Sequence, residues 1–202
     1  LVEAENDVAQ LTGAPRGLLR ISAPTYFGSV RLAPALKDFR ARYPDVTLDL
    51  HLDDRLVDLV RERFDVAVRI APSLDPALVA RRLTVCPLIV VAAPSYLRRH
   101  GAPRVPADLA AHEGLGYSLA KMPNRWRIRE PRGRWVEVSL KSTLRSNNDF
   151  VLRQAAVDGL GLAMFPDFFV EREFADGRFV PVLAECRTQE LTVSAVCASR
   201  RN

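Results

Sequence analysis

Residues 18–70, LLRISAPTYFGSVRLAPALKDFRARYPDVTLDLHLDDRLVDLVRERFDVAVRI, decide the fold, because the apolar period along them switches between that of a strand and that of a helix. Residues 18–22 are a short apolar run, the first expected strand. Over 26–43, Leu32, Leu36, Phe39 and Tyr43 fall on one helical face, and Pro44 closes the helix. Residues 46–52 alternate, with Val46, Leu48, Leu50 and Leu52 on one side and Thr47, Asp49 and His51 on the other. Asp53 or Asp54 then caps a short expected helix carrying Leu56, Val57, Leu59 and Val60, and DVAVRI at 65–70 is the third strand. Strand, helix, strand, helix, strand with short joints is the pattern of a parallel, doubly wound α/β sheet. Right-handed crossovers bring the C-terminal ends of such strands to one edge, which here carries 22–27 and 71–75.

The second half repeats the alternation less regularly. Residues 82–93 are a long apolar run interrupted by Pro87, read as a strand that leaves one domain and enters another. Residues 95–101, SYLRRHG, read as a short helix with a serine cap and a glycine stop. A strand is expected at 115–118, and a hairpin from 126–129 and 135–140 around Pro131-Arg132-Gly133. The stretch at 146–168, SNNDFVLRQAAVDGLGLAMFPDF, reads as a capped helix, a glycine stop at Gly159, a buried strand at 160–165 and a new helix start at Pro166. Such a unit gathers loose N–H groups and amide side chains at a sheet edge, where small polar or anionic ligands bind. Ordinary capping accounts for the same residues. A turn at Asp176-Gly177 and strands at 179–183 and 191–198 complete the chain.

The 202 residues suffice for one large or two small domains. No apolar run approaches the roughly 20 residues that cross a bilayer. Net charge is +5, and its placement matters more than its size. Residues 1–92 hold 12 basic and 12 acidic side chains, whereas 121–145 hold eight basic ones against Glu130 and Glu137. A basic hairpin attracts anions or nucleic acid, and a solvated arginine face explains it equally. Cys86, Cys186 and Cys197 are odd in number and lack a C-x-x-C pair, which favours reduced thiols in a cytoplasmic protein over a disulfide framework.

The chemical motifs are mostly missing. There is no phosphate-binding G-x-x-x-x-G-K-[ST] loop and no G-x-S-x-G elbow, and the glycines at 159 and 161 precede a strand instead of following one. His51, His100 and His112 lack partners at zinc spacing. Trp126 and Trp135 among Arg125, Arg127 and Arg134 resemble a base-stacking surface, with packing inside a hairpin as the plainer account. No catalytic constellation emerges, and neither an enzyme activity, a metal nor a cofactor is expected.

Taken in order, GLLRISAPTYFGSVRLAPALKDFRARYPDVTLDLHLDDRLVDLVRERFDVAVRI, LVARRL, APSYLRRHGAPRVPADLAAH, SNNDFVLRQAAVDGLGLAMFPDFFVEREFADGRFVPVL and LTVSAVCASRR resemble the C-terminal effector-binding domain of LysR-type transcriptional regulators across nearly all of 16–201. The resemblance implies two Rossmann-like subdomains joined by two crossing strands, as in type II periplasmic-binding proteins. It places the end of a linker helix at 1–15, one subdomain at 16–92 plus 190–202 and the other at 93–189. It implies a small-molecule effector, anionic or aromatic, in the cleft between them, and promoter DNA bound by an N-terminal winged helix-turn-helix outside this chain. It implies pairing into dimers or tetramers through 28–42 and 46–52. The effector-binding positions it carries over are Pro24, Thr25 and Tyr26 after the first strand, Ile70 and Ala71 at the end of the third, Tyr117 and Ser118, Asn147 and Asn148 at the capped helix, and Phe165 and Pro166. A periplasmic solute-binding protein of a transporter is the alternative.

Overall fold

The computed structural model describes residues 14–74, 76 and 78–198, so residues 1–13 of the linker-helix expectation at 1–15 lie outside the described residues. The described residues divide into two compact units, one of 14–70, 74–83 and 193–198 and the other of 71–73 and 84–192. Strands β4 (Leu78–Ala92) and β12 (Glu190–Ala198) each contribute to both. Among the described residues, no helix is long and apolar enough to cross a membrane.

The first unit is built on parallel strands. β1 (Gly17–Ala23) runs beside β2 (Val46–Leu52) from Gly17↔Val46 to Ala23↔Leu52, and beside β3 (Val66–Ala71) at Ile21↔Val66 and Ser22↔Ala67. Between β1 and β2 lies a helical run over 25–42, called α1. It is not uniform: Gly28–Leu32 is wound as π-helix and Ala33–Ala35 as 3₁₀. Pro34 explains this, since it has no N–H for the carbonyl one turn back and its ring crowds that turn, so the chain widens before it. At Gly28 the helix presses on β2; a Cβ there would lie 2.3 Å from Leu52 Cδ2, which only glycine avoids. Gly28 is the one buried residue of α1, and the stripe of Leu32, Leu36, Phe39 and Tyr43 is only half-buried.

The helix expected after Asp53 does not form. Residues 53–64 fold as bends and turns in which carboxylates accept nearby backbone N–H groups. Asp53 Oδ1 accepts from Arg55 N at 2.9 Å, Asp58 Oδ1 from Val60 N and Arg61 N at 3.0 Å, and Glu62 Oε1 from Asp58 N at 3.1 Å. The segment closes with Phe64 N donating to Leu59 O and Arg63 N to Val60 O, while Arg63 takes a left-handed φ of 57°. That paired closure is the usual end of a helix, here ending one turn. Val57 and Leu59 are buried and Leu56 and Val60 exposed, a period of two instead of a helical stripe. Val57, Leu59 and Phe64 form the core with Ala67 of β3 and Val196 of β12.

In the second unit, β9 (Ala163–Pro166) pairs antiparallel with β4 from Leu88↔Pro166 to Val91↔Ala163, and β10 (Val180–Pro181) pairs with Ala92 and Val91. The expected strand at 160–165 therefore starts three residues later, and that at 179–183 shortens to two. Leu160 is exposed because Gly159, at φ 75°, is still turning the chain out of the preceding helix. Helix α2 (Pro94–His100) is capped at Ala93 with Pro94 in its first turn, not by the expected Ser95; the glycine stop at Gly101 holds. β6 (Arg125–Arg129) and β7 (Trp135–Ser139) form the expected hairpin, and β11 (Arg187–Thr188) adds to the free side of β6. Trp126 is buried in a core with Val90, Tyr96, Leu109, Ile128, Val138, Leu140 and Leu162, each aliphatic side chain contributing about 1.5–3 kcal/mol.

Candidate functional site

In the second unit, β5 (Gly116–Tyr117) and β8 (Arg145–Ser146) lie parallel with Tyr117 opposite Ser146, so both chains leave the sheet on the same edge. Their approach is close: a Cβ on Gly116 would meet Arg145 Cγ at 2.7 Å. Ser118 N donates to Ser146 O at 2.8 Å, which holds the two exits together. Ser146 Oγ then accepts from Asn148 N at 3.0 Å, and Asn148 Oδ1 accepts from Phe150 N at 2.9 Å and Val151 N at 3.3 Å. These bonds start α3 (Asp149–Val157), with Asn148 as its cap. With its oxygen committed to the helix, the Asn148 amide offers its NH₂ as a donor. Four of the expected positions thus converge: half-buried Tyr117 and Asn148, exposed Ser118 and Asn147.

Phe165 is 1 % exposed and its ring packs on Phe169 at 5.2 Å and Phe179 at 6.5 Å, so its side chain is part of the core. Pro166 is half-buried and caps the 3₁₀ turn Asp167–Phe169.

In the first unit, Pro24 caps α1 with an extended backbone, and Gly28 N donates to its carbonyl at 2.8 Å. Thr25 N donates to Asp54 Oδ1 at 2.8 Å, and Ser29 Oγ donates to Thr25 O at 2.8 Å. The first amide of α1 is therefore occupied by a carboxylate of the same unit. Tyr26, Ile70 and Ala71 are half-buried, with Ile70 and Ala71 ending β3 on the side where β1 ends.

Beside this edge is a concavity of about 250 Å³ lined by Arg20, Ser22, His51, Asp53, Arg55, Glu62 and their neighbours. Its charges satisfy one another. Arg55 Nε meets Asp53 Oδ2 at 2.7 Å and its terminal nitrogens grip both Glu62 oxygens at 2.9 and 2.5 Å, which drives the Arg55 pKa up and holds Glu62 below the usual carboxylate range. Arg20 bonds Asp49 at 3.0 Å and the carbonyls of Glu62 and Arg63, which lowers the Asp49 pKa. The sequence reading took the acidic residues here only as caps. The Arg55–Glu62 clamp has no counterpart in the expected helix, which rests on a cap at Asp53 or Asp54 and on Leu56, Val57, Leu59 and Val60. Among the described residues, no group of three or more His, Cys, Asp or Glu is arranged to hold a metal ion.

The cysteines are all free thiols; burial pushes Cys86 up to about 11 and also raises Cys186.

Two α/β units that share two strands, each presenting strand ends and a helix start at an edge, define the regulatory-domain class with the type II periplasmic-binding-protein-like fold. The family model described as the LysR substrate binding domain matches residues 12–202, and the chain belongs to that family. It is 34 % identical over 205 residues to an uncharacterised helix-turn-helix-type transcriptional regulator of Haemophilus influenzae, covering 100 % of this chain and 70 % of the relative. It is 31 % identical over 185 residues to the helix-turn-helix-type regulator CrgA of Neisseria meningitidis, covering 92 % of this chain and 61 % of the relative. The solved regulatory domain of CrgA superposes with a TM-score of 0.76 at 29 % identity, covering 92 % of this chain and 90 % of that one. The chain thus spans some three-fifths to seven-tenths of these two curated relatives, and the matches favour a regulator's domain over a transporter's binding protein.

Proposed function

We propose that this chain is the effector-sensing part of a LysR-type transcriptional regulator and not an enzyme. It takes a small anionic or aromatic molecule at strand-end edges: Tyr117, Ser118, Asn147 and Asn148 are the candidate contacts at the edge of β5 and β8, and Pro24, Thr25, Tyr26, Ile70 and Ala71 those at the ends of β1 and β3. The observation that carries this reading is the convergence of Tyr117, Ser118 and the Asn148 cap at the edge formed by β5 and β8. Helix N-terminal amides favour a carboxylate or polar carbonyl group. Effector binding shifts a conformational equilibrium, and that shift reaches promoter DNA held by a domain outside this chain. Self-association into a dimer or tetramer uses 28–42 and 46–52, a surface supported by the half-exposed stripe of Leu32, Leu36, Phe39 and Tyr43 and by exposed Leu52.

The test is a thermal-shift screen of small carboxylates, aromatic acids and quinones on the wild-type chain and on Asn148→Asp. Aspartate keeps the capping oxygen and so the fold, but replaces the donor NH₂ with negative charge. Compounds that raise the wild-type melting temperature should lose that effect in Asn148→Asp; undiminished shifts in the variant would remove Asn148 and its edge from the site.

A further inference from the structure

The small sheet of order β11, β6, β7 has two unlike faces. Trp126, Ile128 and Val138 enter the core. The register pairs Arg127 with Glu137, Arg129 with Trp135 and Arg187 with Arg129. Because side chains alternate along a strand, Arg125, Arg127, Arg129, Arg187 and Trp135 share the outer face. The guanidinium carbons of Arg127 and Arg129 lie 5.0 and 5.4 Å from the centroid of the Trp135 ring, which is 37 % exposed. Glu137 is taken by Arg125 at 3.5 Å. Among the described residues, neither Arg127, Arg129 nor Arg187 has a carboxylate partner, while Arg20 and Arg55 of the other unit are held by carboxylates. Arg132 and Arg134 add exposed cations at the turn.

Placing Arg187 directly across from Arg129 is unfavourable for a sheet, since like charges in cross-strand pairs repel. An external anion reverses that cost. The indole sits against the guanidinium groups of Arg127 and Arg129, and exposed Arg127 and Arg187 present N–H donors of the kind that bind phosphate oxygens two bonds at a time, whereas the Nε of Arg129 is itself buried. Trp135 is the sole large apolar group of the face, so it lacks the apolar centre of a protein–protein interface. We propose that the outer face of β11–β6–β7 binds the phosphate backbone of nucleic acid without reading its sequence. This goes beyond the effector reading, because it gives the chain itself a nucleic-acid contact, separate from any domain outside it.

The chain is titrated against a fluorescent duplex of arbitrary sequence, followed by anisotropy and by quenching of Trp135. Non-specific contact of this kind gives a dissociation constant on the order of 10 μM at physiological salt, weakening linearly on a log–log plot as salt rises. Arg127→Ala/Arg187→Ala should bind about tenfold more weakly and with a salt slope shallower by about two. Arg98→Ala/Arg172→Ala removes the same charge from exposed positions on α2 and on helix α4 (Glu171–Ala175), and should bind as the wild type does. Unchanged melting temperatures establish that both variants fold. Equal weakening in both variants, or in neither, overturns the proposal. So does a polyglutamate peptide that competes as well as the duplex at equal charge, which would assign the face to an acidic protein.

Discussion

Asp54 Oδ1 accepts the backbone N–H of Thr25 at 2.8 Å, so the first turn of α1 carries a carboxylate supplied by the segment that follows β2. A helix start that could receive an anionic effector is thus already occupied. Asp54→Ala should free the amide and remove a negative charge from the edge. Small carboxylates should then raise the melting temperature more in the variant than in the wild type, while the unliganded variant loses about 1 kcal/mol with its cap. Equal carboxylate shifts in the two proteins would separate this edge from anion binding.

Asn148 carries a stability role that is measurable without any ligand. Asn148→Ala removes both capping bonds of α3, to Phe150 N and Val151 N. A loss of about 1 kcal/mol is expected, which lowers the melting temperature by about 2–4 °C in a chain of this size. Asn148→Asp should melt close to the wild type.

How much of this was legible beforehand follows from what each residue depends on. The cap and the stop at Gly159 are local chemistry: the sequence offers Ser146, Asn147 and Asn148 as caps, and the structure uses Asn148, with Gly159 turning the chain as expected. The parallel pairing of β1, β2 and β3 followed from alternation and spacing. The apolar residues of 53–64 are spaced as a helix would have them, but the segment turns so that Val57 and Leu59 both enter the core with distant Val196, a contact that local spacing does not show. Burial of Phe165 agrees with the buried strand expected at 160–165, while its partners Phe169 and Phe179 follow from packing that spacing does not show. The Arg129–Arg187 pairing joins residues far apart in the chain and leaves no periodic trace.

Arg63 offers a test of local strain. Its left-handed φ of 57° costs a non-glycine residue roughly 1 kcal/mol, and its carbonyl, not its side chain, accepts from Arg20. Arg63→Gly should keep that bond and leave stability unchanged or raise it by up to about 1 kcal/mol, as read by urea denaturation. A clear loss would mean that the Arg63 side chain holds the turn.

Acid should unfold the chain in two stages. His112 is buried against the Tyr96 hydroxyl at 3.1 Å, and burial lowers its pKa. The unfolded chain therefore takes up a proton below about pH 6.5 that the folded one resists, and stability falls from there downward. Asp49, Glu62 and Asp108 are held below the usual carboxylate range, chiefly by hydrogen bonds from Arg20, from Arg55 and from the Arg104 backbone respectively. Their stabilisation is present above that range and disappears as pH falls through their folded values. Melting temperature measured against pH should show both limbs, and His112→Gln should erase the upper one.

Cys86 should behave oppositely, at the alkaline end. It is 3 % exposed with a thiol pushed up to about 11, so it stays protonated in the folded chain where the unfolded chain ionises. Stability should decline as pH rises between the ordinary thiol range and about 11, and alkylating reagents at neutral pH should spare Cys86 until the protein is denatured. Rapid labelling of the native chain would contradict this.

The core of the first unit also sets an order in time. Val57, Leu59, Phe64 and Ala67 close around Val196, which the ribosome delivers only after the whole of the second unit. The second unit, one nearly continuous piece of chain, can finish first, while the first waits with an open core for its last strand. A chain cut short before Val193 would therefore leave the earlier-made unit unfinished and the later-made one whole.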